Sequence, residues 1–297
     1  DELLAEGLVA IEGEWVALTH EGRSLASEAR TADDDKLEVA RALAQADDDP
    51  LAVARAAELF AMASDADATE ATFVRCYELS DEPAVRVDVV RASRSAIEKL
   101  PPERRLLCQL RAAEVALARG DADGALNWAR AATEAAPKRY DVLLLLGRAA
   151  LARGDLVTAR VAFDRAAGMA KDEAERAHVA LDLAEAAYAA GDLSGAQRHA
   201  NEALRLARDV GTRLGARNVL GKLLLAKGQW AEAEAHFAAD ELDASSAGER
   251  AARLRARLNR AIAILSSGRN DEAQWMLEAV LSEGESLGEN RAIRPRT

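Results

Sequence analysis

The stretch whose spacing comes nearest to known chemistry is Gly215-Ala-Arg-Asn-Val-Leu-Gly221-Lys222-Leu223, two glycines ahead of a lysine. A phosphate-cradling loop places four residues between its glycines and follows the lysine with a hydroxyl side chain for magnesium. Here there is one residue too many, Leu223 carries no hydroxyl, and the surrounding pattern is helical, so a nucleotide site is not expected. His199 and His236 stand 37 residues apart at equivalent places on two helical stretches. Neighbouring helices lie about 10 Å apart, too far for two ligands of one tetrahedral zinc. His20 and His178 have no second ligand near them in sequence. Cys76 and Cys108 lack a base and an orienting partner at any suggestive spacing and read as buried structural thiols. The aspartate runs 33–35 and 47–49 lack the alternating ligands, central glycine and closing glutamate of a calcium loop; they read as helix caps and solvated turns. No carboxylate pair sits in a hydrophobic setting fit for acid–base work. No catalytic, metal or cofactor residue is therefore proposed, and the chain is not expected to be an enzyme.

Behind these side chains stands a regular framework. Gly120, Gly154, Gly191, Gly228 and Gly268 recur at intervals of 34, 37, 37 and 40 residues. Five residues after each comes an alanine, at 125, 159, 196, 233 and 273. Seven residues before each stands another small residue: Ala113, Gly147, Ala184, Gly221 and Ala261. Each interval holds two amphipathic helical stretches, so the expected fold is all-α, a stack of two-helix units forming an α-α superhelix. Asp121, Asp155 and Asp192 directly follow their glycines, where a short acidic side chain starts a second helix. Regular units are expected from about Leu106, Tyr140, Ala177, Leu214 and Leu254.

Composition agrees with closely packed helices. Of the 297 residues 49% are hydrophobic but only 4% aromatic, so the apolar surface is carried by Ala, Leu and Val. A formal charge of −12 and a pI near 5.0 speak against holding nucleic acid or an anionic membrane by bulk electrostatics. Two cysteines and no long apolar run point to a reducing cytoplasm. The chain opens on Asp1 and ends at Thr297 where a further helix is expected to start near Asn290, so a longer polypeptide is expected.

Gly147 with Gly154, Ala159, Phe163 and Ala166, and Ala113 with Gly120, Ala125, Ala132 and Pro137, resemble the tetratricopeptide repeat over about residues 106–284. Two departures stand out. The early aromatic of the first helix is replaced by Gln109, Leu143, Ala180, Arg217 and Arg257, and Asp240 replaces a late small residue. Repeats of 37 to 40 residues resemble those of large bacterial regulators, in which an ATPase module and a winged helix precede the array. The resemblance implies that first helices line a concave groove holding a peptide or partner helix. Arg111, Glu114, Asp141, Arg148, Asp182, Glu185, Tyr188, Asn218, Lys222, Arg255 and Asn259 are the residues expected there. The basic run of Arg250, Arg253, Arg255, Arg257 and Arg260 spreads over more than one helix face and reads as solvated, an anionic partner being the other reading.

Residues 1–30 differ from the rest. Val9–Glu12 and Trp15–Leu18 flank a Gly13 turn and read as a small hairpin between two helices, one ending near Val9 and one from His20 to about Ala29. This order resembles the C-terminal half of a winged-helix domain, although Asp1, Glu2 and Glu6 are poor phosphate partners. Residues 31–105 read as degenerate helical repeats, with Ser64 in the glycine column, Thr69 in the alanine column and Phe73 in the core; residues 106–297 carry the regular repeats.

The expected role is a protein-interaction scaffold or sensor segment of a larger cytoplasmic signalling or transcription regulator. Its partners would be a protein or peptide, or other domains of its own polypeptide, with no membrane and no nucleic acid bound by this segment. The alternatives are a DNA-binding regulator completed upstream and a partner-selecting segment of a kinase or other enzyme.

Overall fold

The structure is a computed structural model that describes residues 9–12, 15–18, 33–45, 50–79 and 96–286. The helices expected before Val9, from His20 to Ala29, over 85–95 and beyond Asn290 lie outside the described residues. Contacts divide the chain into two compact units, Asp1–Arg104 and Arg105–Thr297.

In the first unit, β1 (Val9–Glu12) pairs antiparallel with β2 (Trp15–Leu18), Val9 opposite Leu18 and Glu12 opposite Trp15. The pairing is local. A winged helix needs helices on both sides of it, and those stretches are not among the described residues. Helices α1 (Asp33–Ala44), α2 (Pro50–Met62) and α3 (Ala66–Leu79) follow, with α2 packed between the other two. Ala40, Ala56 and Phe60 form one buried cluster, and Arg75 Nη1 donates to the Ala44 carbonyl at 2.6 Å, closing the end of α1. Ser64 does sit in the turn column, with φ of 61°, the only non-glycine residue with positive φ among those described. Thr69 and Phe73 are fully buried, and the Thr69 hydroxyl donates to the Asp65 carbonyl at 2.6 Å.

The second unit is a helical solenoid. First helices are α4 (Pro102–Ala118, whose first three residues belong to the first unit), α6 (Tyr140–Arg153), α8 (Glu173–Ala189), α10 (Val210–Ala226) and α12 (Arg250–Ser266). Second helices are α5 (Ala122–Ala135), α7 (Leu156–Ala167), α9 (Leu193–Leu206), α11 (Trp230–Ser246) and α13 (Asn270–Ser286). From α5 onward each helix packs on the next, and the first helices α6, α8, α10 and α12 also touch in succession, making one wall.

The three small columns explain the spacing. Ala125, Ala159, Ala196, Ala233 and Ala273 are all fully buried. A Cβ at Gly221 would lie 2.5 Å from the Phe237 ring, so only glycine lets α10 and α11 approach as they do. The turn glycines have left-handed φ, 87° at Gly154, and the aspartates that follow the first three cap the next helix: Asp121, Asp155 and Asp192 accept from the backbone N–H of Gly124, Thr158 and Gly195. All the first helices but α6 start about one turn earlier than the apolar pattern predicts; in α8 and α10 Asp172 and Asp209 cap that extra turn through the N–H groups of Glu175 and Thr212.

Candidate functional site

The wall of first helices carries the side chains that sequence places in a groove, and it shows them bound to one another. Directly after the small residue of the first four first helices stand Glu114, Arg148, Glu185 and Lys222, alternating in sign along the wall. Arg148 Nε lies 2.9 Å from Asp182 Oδ2, one repeat on. Lys222 Nζ lies 2.5 Å from Glu185 Oε2 and 4.8 Å from the centre of the Tyr188 ring, a cation–π contact added to the ion pair. Asn259 Nδ2 donates to Asn218 Oδ1 at 2.7 Å. These bonds span 34, 37 and 41 residues, so each staples one repeat to its neighbour.

Asp182 and Asn218 are buried, and a partner could not reach them without disturbing this ladder. Burial pushes the Asp182 carboxyl up to about 6 despite the Arg148 guanidinium beside it. The Tyr188 hydroxyl is also pushed up by burial and by the Glu185 charge. The remaining expected residues are accessible. Arg111 and Glu114 pair on the surface of α4 at 3.0 Å, and Asp141 pairs with Arg139 at 2.6 Å, its carboxyl held below its ordinary value by that bond. Arg255 is exposed.

Between α4 and α6 the wall opens into a recess of about 260 Å³. Leu110, Leu117, Leu144 and Leu145 supply its apolar surface, and Glu114, Asp141 and Arg148 its charges. Tyr140 lines it too; its hydroxyl donates to the Glu175 carbonyl at 2.9 Å, and burial pushes it up to about 12, so it stays protonated. Three of the eleven expected residues thus converge on one recess, while six others are spent on the ladder beyond it.

The arginine run of α12 is not simply solvated. Arg257 and Arg260 reach Glu241 of α11 at 3.7 and 3.4 Å, and Arg253 and Arg257 pair with Glu283 of α13. The run joins three helices, a role that linear spacing could not show because the carboxylates come from neighbouring helices. Cys76 and Cys108 are buried thiols, and Cys76 Sγ donates to the Phe73 carbonyl at 2.9 Å. Among the described residues no group of three His, Cys, Asp or Glu is placed to hold a metal ion, and no helix is long and apolar enough to cross a membrane.

No protein-family model and no curated protein matches the sequence. Solved structures do. A signal-transduction ATPase with numerous domains and a tetratricopeptide-repeat sensor, from Pyrococcus horikoshii, superposes with a TM-score of 0.51 over 98% of this chain at 15% identity. This chain spans 46% of that protein's length. The apo form of RapI is matched over 76% of this chain and 66% of its own, at 14% identity and a TM-score of 0.47. MamA is matched over 62% of this chain and 94% of its own, at 20% identity and a TM-score of 0.39. The fold is that of the tetratricopeptide-repeat solenoids, as the repeat columns and the superposition on the Pyrococcus sensor both have it.

Proposed function

We propose that this chain is the sensor or scaffold segment of a larger cytoplasmic, bacterial-type signalling or transcription regulator, and that it holds an extended peptide or partner helix along the wall of first helices. The observation that carries this reading is the recess between α4 and α6, where four leucines adjoin Glu114, Asp141 and Arg148. An apolar floor with a few charged groups at its edge suits a peptide whose backbone is already extended. The Pyrococcus protein is a signalling ATPase whose repeats are its sensor, which supports the same arrangement here. A partner seated on the wall would favour one pitch of the solenoid and so bias the domain attached to it.

Site-specific photo-crosslinking in source cells tests the reading. A photoreactive residue at Leu117 or Leu144 should trap a discrete protein, or another domain of the same polypeptide, and one at the outward-facing Val157 should not. Trapping from Val157 alone would place the binding face on the second helices and refute the groove.

The paired strands at residues 9–18 favour a second, subordinate reading of residues 1–30 as the end of a winged helix that serves as a spacer. With Asp1, Glu2 and Glu6 beside it, this segment is expected to give no salt-dependent DNA binding in fluorescence anisotropy. A measurable, salt-sensitive affinity would favour the DNA-binding alternative instead.

A further inference from the structure

In the second helices one column is small and apolar: Ala132, Ala166, Ala203 and Val280 are all fully buried. In the fourth repeat that position belongs to Asp240, 3% exposed. A carboxylate so placed needs compensation, and the departures around it supply it. Arg217, standing where the repeat calls for an early aromatic, brings Nε to 2.7 Å from Asp240 Oδ1 and Nη1 to 2.5 Å from Asp243. His236, one turn before Asp240, has Nε2 at 2.8 Å from the Arg217 carbonyl and 3.5 Å from Asp240 Oδ2. The carbonyl fixes the tautomer, since only an N–H at Nε2 can donate to it. Neither Asp240 oxygen receives an aligned hydrogen bond, so its compensation is almost wholly electrostatic. On the opposite side of α11 the charges are already matched, Glu241 facing Arg257 and Arg260 of α12.

With Asp240 ionised, the cluster sets the Arg217 guanidinium against two carboxylates, Asp240 and Asp243. One proton added to Asp240 balances it. Burial pushes the Asp240 carboxyl above its ordinary value, while His236 and Arg217 pull it back. We propose that this cluster is a proton-operated joint of the solenoid: α11 is held firmly on α10 once the cluster has taken up a proton, and loosens when the proton leaves. The joint lies between α10 and α11, and α11 in turn holds α12 through Glu241 with Arg257 and Arg260, so loosening it leaves the last repeat tied to α10 chiefly by the Asn218–Asn259 bond. A pH change would operate the joint.

Hydrogen–deuterium exchange on the whole chain tests this, with α5 as the reference helix in the same molecule. After correction for intrinsic exchange, protection of α11 relative to α5 should fall about threefold or more between pH 5 and pH 8, a change of the order that one proton bound in one state and not the other produces. In Asp240→Ala, which restores the residue of three sister repeats and leaves Arg217 paired with Asp243, protection of α11 should be the same at both pH values. Asp240→Asn, which keeps the shape, should behave alike and stands in if the alanine variant loses helicity. Unchanged protection of wild-type α11 between pH 5 and pH 8 would overturn the proposal, and so would a pH dependence that survives both substitutions.

Discussion

Replacing Asp182 by asparagine separates the two effects that compete along the wall, since the side chain keeps its shape and loses its charge. Asp182 is 9% exposed, and burial raises its carboxyl from 3.8 to about 6 even though Arg148 lies 2.9 Å away and opposes the rise, with Glu185 adding to it. A group whose folded value is raised stabilises the fold in its protonated form. That contribution is fully present below about pH 4 and is lost as the pH climbs through about 6. By linkage the ionised carboxylate costs about 3 kcal/mol at pH 7.5, an order-of-magnitude figure at 1.36 kcal/mol for each unit. Asp182→Asn should therefore be more stable than the wild type by about 2–3 kcal/mol at pH 7.5, and by less than about 1 kcal/mol at pH 4. Urea titrations followed by far-UV circular dichroism at the two pH values measure both differences; because repeats can unfold in stages, midpoints are compared over the transition that includes α8. A variant less stable than wild type at pH 7.5 would refute the reasoning, for the Arg148 pair would then outweigh the cost of burial.

Ser64 holds a left-handed φ of 61°, a conformation that costs an L-residue about 1–2 kcal/mol, so Ser64→Gly should raise the denaturation midpoint of the first unit by the equivalent of about 1 kcal/mol. Gly221→Ala would set a methyl 2.5 Å from Phe237 and 2.9 Å from His236; a loss of about 1–3 kcal/mol in urea unfolding is expected, with exchange increased first in α10 and α11. Asp209→Ala removes the cap that accepts from the Thr212 N–H at 2.7 Å and should cost about 1 kcal/mol at pH 7. The Asp209 carboxyl is depressed by that bond, so its contribution is present at neutral pH and disappears as the pH falls through the lowered value, where wild type and variant should converge.

The framework was legible because its demands are local. A left-handed turn asks for glycine, a helix start asks for aspartate, and a close crossing asks for a small residue, each at a fixed offset from the last. Even Ser64, which breaks the composition of its column, keeps the column's backbone conformation. Helix starts were less legible: Asp172 and Asp209 begin α8 and α10 before the apolar period does, since capping precedes burial. The ladder is hidden for a different reason. Within any one helix nothing pairs these residues, whereas Glu185 and Lys222 each follow the small residue of adjacent repeats and meet only when the repeats are laid over one another. The alternation Glu114, Arg148, Glu185, Lys222 was the available signal. For the pair of Asp240 with Arg217 the signal was two departures from the repeat within one unit, a buried charge and its counter-charge replacing an alanine and an aromatic.

The ladder also constrains how the wall can recognise anything. A ligand that drew Arg148 away would leave Asp182 buried beside Glu185 without its cation, and removing one partner of a buried pair is far costlier than never having formed it. Recognition that preserves the fold therefore has to leave Arg148, Asp182, Glu185 and Lys222 where they are and use groups whose present partners are exposed. Glu114 and Asp141 qualify, because Arg111 and Arg139 lie at the surface and release into water at little cost. Both border the α4–α6 recess, where the leucines supply apolar contact. The proposed function thus puts affinity in the recess and leaves the ladder to fix the spacing of the repeats, so that alanine at Glu114 or Asp141 should weaken crosslinking from Leu117 while helix content stays as it is.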